Sequence, residues 1–357
     1  MPMPPADRRR FCLQLGARAA MLATGAWAAV PAARAADAPR PPPAPGSFTA
    51  QAGQALPGAP TPLDLDWVDT ARQRPVPVRL YLPAEGLAPA PLVVFSHGIG
   101  GSRRGYSYLG RHFAANGIAS LHLQHVGSDR QLWMGNVFSL VGRLQDAAQP
   151  GEALARVQDL RFALDTLLAG PLAARVDARQ IVAAGHSYGA NTTLLVAGAQ
   201  VPAQAQPVDR PLPTLRDERV RAAIAISAPP FYGQADLRPI LGPIAMPTLH
   251  ITATEDVIRI PGYYSGAEDR VAVYQATGSL APRPQPKWLA MFEGGSHSIF
   301  TDRGGTGGPL LNPQIKAATQ ALTLAFVRTV TAGDDAALRA WPQQHAALLA
   351  RFAAEPA

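Results

Sequence analysis

Cysteine is nearly absent from this 357-residue chain, which contains Cys12 alone. Cys12 lies within the first 35 residues, which have the pattern of an export signal. It precedes the apolar stretch of that signal, where a lipoprotein cysteine would not be. A mature chain beginning at Ala36 would contain no cysteine. The sequence therefore excludes disulfides, thiol catalysis and cysteine-bound metal from the exported protein.

A long apolar run is also lacking from the amino-terminal segment. Residues 1–35 combine a basic start at Arg8–Arg10, then Phe11, an Ala-rich middle and an Ala-Arg-Ala ending at Ala35. This pattern is typical of a twin-arginine export signal. The alternative, a membrane anchor, is disfavoured because a span needs about 20 apolar residues. We therefore predict a periplasmic or secreted protein with no stable membrane span after cleavage.

A dense basic run is missing too, although the formal net charge is +7. Five arginines and one aspartate precede Ala36, so cleavage there removes four of the seven net charges and leaves three. The remaining chain lacks the basic cluster that nucleic acid requires. Nucleic acid is therefore excluded as a partner.

The remaining chain divides by composition into a leader and one domain. Residues 36–62 are rich in Pro, Ala and Gly and lack hydrophobic periodicity, which is typical of an extended or flexible leader. Residues 63–357 contain periodic segments without an internal repeat. They are long enough for one large domain with a sizeable core, which we interpret as a catalytic domain.

Short apolar runs alternate with amphipathic segments in this domain. Two short strands flank a polar turn at Thr70–Gln73, and later runs include PLVVFSH and QIVAAG, with GEALARVQDLRFALDTLLAG as the clearest helix. Such alternation predicts an α/β fold, a mostly parallel central sheet with helices on both faces. Residues 127–150 and 201–217 are interpreted either as insertions covering the site or as plain surface loops.

A serine between two glycines stands where a strand-like run meets a helix-like run, in the segment IVAAGHSYGANTT. A sharp strand-to-helix turn exposes a nucleophile but crowds the backbone, so glycine is needed two positions on either side. Gly185 and Gly189 occupy those positions around Ser187. We predict that Ser187 is a catalytic nucleophile.

Oxyanion donors are expected from the sharp turn at residues 185–189, called the elbow below, and from the earlier segment FSHGIGG. Its small residues allow backbone N–H groups to approach a substrate. The N–H groups of Ile99 and Tyr188 are the favoured donors, with Gly98 as the alternative to Ile99. Gly98 and Trp133 are also predicted to contact the substrate.

The catalytic base is expected downstream of the serine and the acid. His297 lies in the glycine-rich segment FEGGSHSIFTD, which follows a predicted strand. His345 is the alternative, but it is predicted to face solvent in a terminal helix. His297 is therefore the predicted base.

The catalytic acid is expected after the strand in PTLHITATEDVI. Asp256 is favoured over Glu255 because its spacing from Ala253 leaves room for a turn toward the histidine. Asp236 and Asp269 are weaker alternatives, interpreted as surface charges.

The other histidines give no metal site. His122 and His125 flank a strand end, and no third ligand can be placed beside them. No metal or other cofactor is therefore expected. Lining of the pocket is an alternative role for His125 or Asp129, and packing or hydrogen bonding beside the elbow is expected of His186.

These segments together resemble the α/β-hydrolase superfamily over residues 65–330. Within it, VVFSHGIGGSRRGYSYLGRHFAANGI, GHSYGA and GGSHSIF resemble bacterial exported serine hydrolases related to platelet-activating-factor acetylhydrolases, or predicted dienelactone hydrolases. The resemblance implies cofactor-free ester hydrolysis through an acyl-enzyme intermediate, with Ser187 as nucleophile and Ile99 and Tyr188 as oxyanion donors.

Two positions depart from those relatives. Dienelactone hydrolases use a cysteine where this chain has Ser187, and the acetylhydrolases carry their acid at the position of Ser227, so that here it must come from the next strand. We predict a serine esterase for a small-molecule or lipid-like ester. The alternatives are lactone, thioester, amide or phospholipid acyl cleavage, and a non-catalytic binding protein of the same fold.

Overall fold

The structure, a computed structural model, describes residues 61–86, 88–201, 215–260 and 262–356. The predicted export signal and nearly all of the predicted leader lie outside the described residues. So does most of the proline-rich segment interpreted as a covering loop.

Within the described residues, a nine-stranded sheet forms the centre of the domain. Its six inner strands run parallel, and antiparallel strands complete both edges. The predicted α/β fold with a mostly parallel sheet is confirmed. In pairing order the strands are β1 (Leu63–Asp69), β2 (Arg74–Tyr81), β4 (Ala119–Leu123), β3 (Ala90–Ser96), β5 (Val176–His186), β6 (Val220–Ile226), β7 (Thr248–Glu255), β10 (Lys287–Ser296) and β11 (Leu349–Glu355). A separate small ribbon pairs β8 (Ile258–Ile260) with β9 (Tyr263–Ser265).

Helices cover both faces of the sheet because successive residues of a buried strand point to opposite sides. In β3, Leu92 and Val94 belong to one hydrophobic core, and Val93 and Phe95 belong to the other. The helices are α1 (Ser107–Ala115), α2 (Leu140–Ala147), α3 (Pro150–Ala169), α4 (Tyr188–Val196), α5 (Arg238–Leu241), α6 (Ala267–Ala276), α7 (Gly308–Ala332) and α8 (Ala336–Gln344). Residues of α3, α4, α5 and α6 pack in the first core, and those of α1, α7 and α8 pack in the second.

Helix α3 shows how directly the sequence specifies an element. It begins at Pro150, where the missing N–H costs nothing, and it ends before Gly170. The predicted apolar face at Val157, Leu160 and Leu164 is buried in the first core. No helix among the described residues has the length and apolar character needed to cross a bilayer.

The carboxyl-terminal segment differs from the prediction. His345 caps the end of α8 rather than facing solvent, and its half-buried ring lies 4.8 Å from the ring of Trp341. The chain then forms β11, an edge strand antiparallel to β10 that the sequence analysis missed. Its Ala-rich sequence has little strand propensity, so that pairing with β10 and contact between Phe352 and Trp341 decide its conformation.

Candidate active site

Ser187 occupies a sharp turn between β5 and α4. Its backbone angles are φ 55° and ψ −124°, a conformation that few non-glycine residues adopt. A Cβ at Gly185 would lie 2.2 Å from the carbonyl oxygen of Gly189, and a Cβ at Gly189 would lie 1.9 Å from that of Ser96. Both positions therefore require glycine. The turn places the Ser187 side chain at the carboxyl end of the central strand.

A hydrogen-bonded chain joins Ser187, His297 and Asp256. Nδ1 of His297 donates to Oδ1 of Asp256 over 2.7 Å, and the Ser187 hydroxyl donates to Nε2 over 2.8 Å. The directions follow from the carboxylate, which only accepts and so holds the imidazole proton on Nδ1. Nε2 is then free to accept a proton from the serine.

Asp256 is fully buried yet ionised. Burial by itself would raise its pKa, but the hydrogen bond from His297 and the positive charge of Arg270 hold the pKa well below its usual range. The Thr252 hydroxyl donates to Oδ2 over 2.8 Å, and Arg270 lies 3.4 Å from Oδ1. These contacts stabilise a carboxylate that burial would otherwise neutralise.

The other candidate acids lie elsewhere. The side chain of Glu255 is exposed at the end of β7. Asp236 is exposed and pairs with Arg238, and Asp269 accepts a hydrogen bond from the N–H of Gly266 at the start of α6. None of these three carboxylates is bonded to His297.

The proposed oxyanion donors lie beside the serine. Ile99 and Tyr188 both line the same cavity as Ser187, and no described residue accepts a hydrogen bond from either backbone N–H. The N–H of Gly98 instead points to the Tyr106 hydroxyl, 3.4 Å away. Gly98 nevertheless packs against Ser187, since a Cβ there would lie 3.1 Å from Cβ of Ser187. This arrangement favours Ile99 over Gly98 as the first donor.

The cavity beside Ser187 and His297 has a volume of about 700 Å³. Residues 127–150, interpreted as a cover or a surface loop, contribute Trp133 and Leu144 to its wall. The indole N–H of Trp133 donates to the carbonyl oxygen of Gly100 over 2.8 Å, which holds the ring against Gly100 in the cavity wall. Apolar side chains form much of the remaining wall, among them Leu154, Leu195, Phe231, Ile258 and Ile260.

His186, next to Ser187, hydrogen-bonds to the backbone of His297. Burial and the proximity of His297 lower the pKa of His186 to about 3, so that it is neutral. Its Nε2 donates to the carbonyl oxygen of His297 over 2.9 Å, and the Tyr106 hydroxyl donates to Nδ1 over 2.8 Å. The sequence analysis expected packing or hydrogen bonding of His186 here but missed Tyr106, which no local pattern links to the elbow.

A second hydrogen-bonded set of serine, histidine and aspartate side chains lies outside the cavity wall. Nε2 of His125 is 3.1 Å from the Ser96 hydroxyl, and its Nδ1 is 3.1 Å from Asp159. All three side chains are fully buried and none lines the cavity, so this set is inaccessible to a substrate. Asp129, the other residue considered for the pocket wall, is also buried away from the cavity.

The described residues contain no cluster of three or more histidine, cysteine or carboxylate side chains that could hold a metal ion. His122, considered above as a possible ligand, instead lies 2.9 Å from the Ser120 hydroxyl.

Comparison with known proteins identifies the superfamily. The model of the alpha/beta hydrolase family matches residues 93–356, which include the elbow and the segments of Asp256 and His297. No curated protein matches the sequence. The match does not support a particular relation to platelet-activating-factor acetylhydrolases or dienelactone hydrolases.

Proposed function

The chain belongs to the alpha/beta hydrolase family, which indicates hydrolase activity, and we propose that it is a serine hydrolase. We further propose that it cleaves carboxylic esters. The observation that carries the proposal is the hydrogen-bonded chain from Asp256 through His297 to Ser187, which ends in an apolar cavity. A nucleophile, a base and an orienting acid in this arrangement can perform acyl transfer without a cofactor.

Acylation begins with attack of the Ser187 oxygen on the ester carbonyl carbon. His297 takes the serine proton on Nε2, and the carboxylate of Asp256 stabilises the resulting imidazolium. The carbonyl oxygen becomes an oxyanion, which the N–H groups of Ile99 and Tyr188 bind. The tetrahedral intermediate then expels the alcohol, which receives the proton from His297.

Deacylation repeats these steps with water. His297 removes a proton from water, and the hydroxide attacks the acyl-enzyme carbonyl in the same oxyanion pocket. Collapse of the second intermediate releases the carboxylic acid and returns the proton to Ser187. Of the protein groups, only Ser187 and His297 change their protonation state during the cycle, while Asp256 stays a carboxylate.

The cavity wall supports an apolar acyl or alcohol group. A volume of about 700 Å³ is within the usual range of small-molecule sites, and its apolar side chains would remove hydrocarbon from water. Each buried methylene contributes about 0.8 kcal/mol, or roughly fourfold in binding. We therefore expect esters of longer acyl chains to be preferred over acetate.

The test is hydrolysis of p-nitrophenyl esters from acetate to palmitate by the wild type and Ser187→Ala. We expect the variant to lose nearly all turnover while keeping the wild-type melting temperature. Ser102→Ala is a matched control, because Ser102 also lines the cavity but its hydroxyl only accepts from the N–H of Arg104. Wild-type turnover in Ser187→Ala would refute the proposal. Ser187-dependent turnover of amides or lactones alone would support the proposed triad but refute the proposal that the substrate is an ester.

We also propose that the protein acts outside the cytoplasm. This proposal is based on the sequence pattern of residues 1–35, which lie outside the described residues. Replacement of Arg8 and Arg9 by lysine should retain the full-length chain in the cytoplasm, because twin-arginine signals depend on that pair. Export of the double variant at the wild-type level, measured by cell fractionation, would contradict this route.

A further inference from the structure

Arg156 is a fully buried guanidinium without a carboxylate among its hydrogen-bond acceptors in the described part of the chain. Burial lowers its pKa to about 10, so it is still charged at neutral pH. Glu152 and Asp159 stabilise this charge from a distance, but no carboxylate among the described residues accepts a hydrogen bond directly from it, so burying it is costly. Such a residue calls for a role that an apolar side chain of similar size could not perform.

The contacts of Arg156 reach both parts of the oxyanion pocket. One terminal nitrogen donates to the carbonyl oxygen of His97, two residues before Ile99. The guanidinium carbon also lies 4.6 Å from the ring centroid of Tyr188, within the distance of a cation–π contact. A single side chain therefore touches both segments that carry the proposed donors.

Two further hydrogen bonds donated by Arg156 connect it to these two segments through the hydroxyl groups of Thr192 and Ser128. Nε of Arg156 donates to the Thr192 hydroxyl over 2.9 Å, and that hydroxyl donates to the carbonyl oxygen of Tyr188 over 3.2 Å. The other terminal nitrogen donates to the Ser128 hydroxyl over 2.7 Å. The carbonyl oxygen of Ser128 accepts from the N–H of Gly100 over 2.8 Å. Backbone groups on both sides of Ile99 are thus tied, directly or through Ser128, to Arg156.

We propose that Arg156 is a positioning residue that sets the distance and direction between the oxyanion donors at Ile99 and Tyr188. The inference rests on the proposed function, since it concerns the pocket that would bind the oxyanion. A planar guanidinium can donate in three fixed directions at once, whereas a lysine ammonium on a flexible stem cannot hold the same three acceptors together.

The test compares Arg156→Lys and Thr192→Val with the wild type, using p-nitrophenyl butyrate and phenylboronic acid. The boronic acid forms a tetrahedral adduct on the serine and so reports on the oxyanion pocket. We expect Arg156→Lys to lower kcat by roughly 10- to 100-fold with KM nearly unchanged, since a small misplacement of catalytic groups is costly. The dissociation constant of the boronic acid should rise by a similar factor. Thr192→Val, which is nearly isosteric, should lower kcat by roughly fivefold.

Arg219→Lys is the matched control, because Arg219 is a partly buried arginine whose partners, Asp165 and Asp217, do not line the cavity. Its kinetics should equal those of the wild type. Melting temperatures identify any variant that fails to fold, and Thr192→Val then remains as the test.

The outcomes separate this inference from the function on which it rests. Wild-type kcat in Arg156→Lys and Thr192→Val, with hydrolysis still dependent on Ser187, would overturn the inference alone. A raised KM with unchanged kcat would also overturn it, since it would assign Arg156 to substrate binding. Absence of Ser187-dependent hydrolysis in the wild type would overturn both.

Discussion

Gly189 packs directly against the carbonyl oxygen of Ser96, leaving no space for a side chain. The contact joins the first turn of α4 to the end of β3, and so brings Ser187 beside the segment of Ile99. A glycine that looks like a local requirement of the elbow is therefore also a requirement of packing between two distant segments.

Replacement of Gly189 by alanine should destabilise the fold by about 3 kcal/mol or more, because the new Cβ would meet backbone that cannot move aside. Gly142→Ala is the control: a Cβ at Gly142, in α2, would contact nothing within 4 Å. That change should be neutral or stabilise by up to about 1 kcal/mol. Urea unfolding of both variants measures the difference. Equal stability of the two would show that the elbow tolerates a side chain.

The identity of the acid can be tested with two adjacent carboxylates. Asp256→Asn should lower kcat by about 10³- to 10⁴-fold, because the amide cannot hold the proton on Nδ1 of His297 and stabilise the imidazolium. Glu255→Gln should leave kcat unchanged, since the Glu255 side chain is exposed and not bonded to His297. Steady-state kinetics on one ester distinguish them. The reverse pattern would assign the acid to Glu255.

Five buried histidines should make the domain sensitive to acid. Burial depresses the pKa to about 4 for His122 and His125, to about 3 for His186 and His250, and well below the usual value for His97. In the unfolded chain these groups titrate near pH 6.5. Between about pH 6.5 and 4 the unfolded state therefore binds more protons, so that acidification favours unfolding.

The free energy of unfolding should then be highest above about pH 6.5 and fall as the pH decreases toward 4. Each proton taken up on unfolding contributes about 1.4 kcal/mol per pH unit. Urea unfolding at several pH values between 7.5 and 4.5 gives the slope. A flat profile over this range would mean that the five imidazoles are not held neutral in the folded protein.

The size of the cavity should set the preferred chain length. Leu154 lies half-buried on α3 and forms part of the cavity wall. Leu154→Trp should lower kcat/KM for p-nitrophenyl palmitate at least about 10-fold, since a larger side chain takes the space of several methylenes. Activity on the acetate should change little. An equal loss on both esters would place the acyl chain elsewhere.

The sequence analysis succeeded where local chemistry dictates local structure. The elbow could be predicted because a strand, a turn and a helix follow one another within residues 181–193, and the turn itself requires Gly185 and Gly189. Helix α3 could be predicted because its apolar positions repeat with the helical period. Strand β11 was missed because its conformation depends on pairing with β10 and packing on Trp341, which no local pattern encodes.

The sequence by itself therefore determined the fold class, the position of the turn at Ser187 and the short set of residues from which a base and an acid could come. Only the tertiary structure decided which of these residues meet, because hydrogen bonds between residues far apart in the chain depend on the order of the strands. It brought Asp256 rather than Glu255 to His297. It buried the similar hydrogen-bonded set at Ser96 away from the cavity, and it placed Arg156 in contact with both the His97 carbonyl oxygen and the Tyr188 ring.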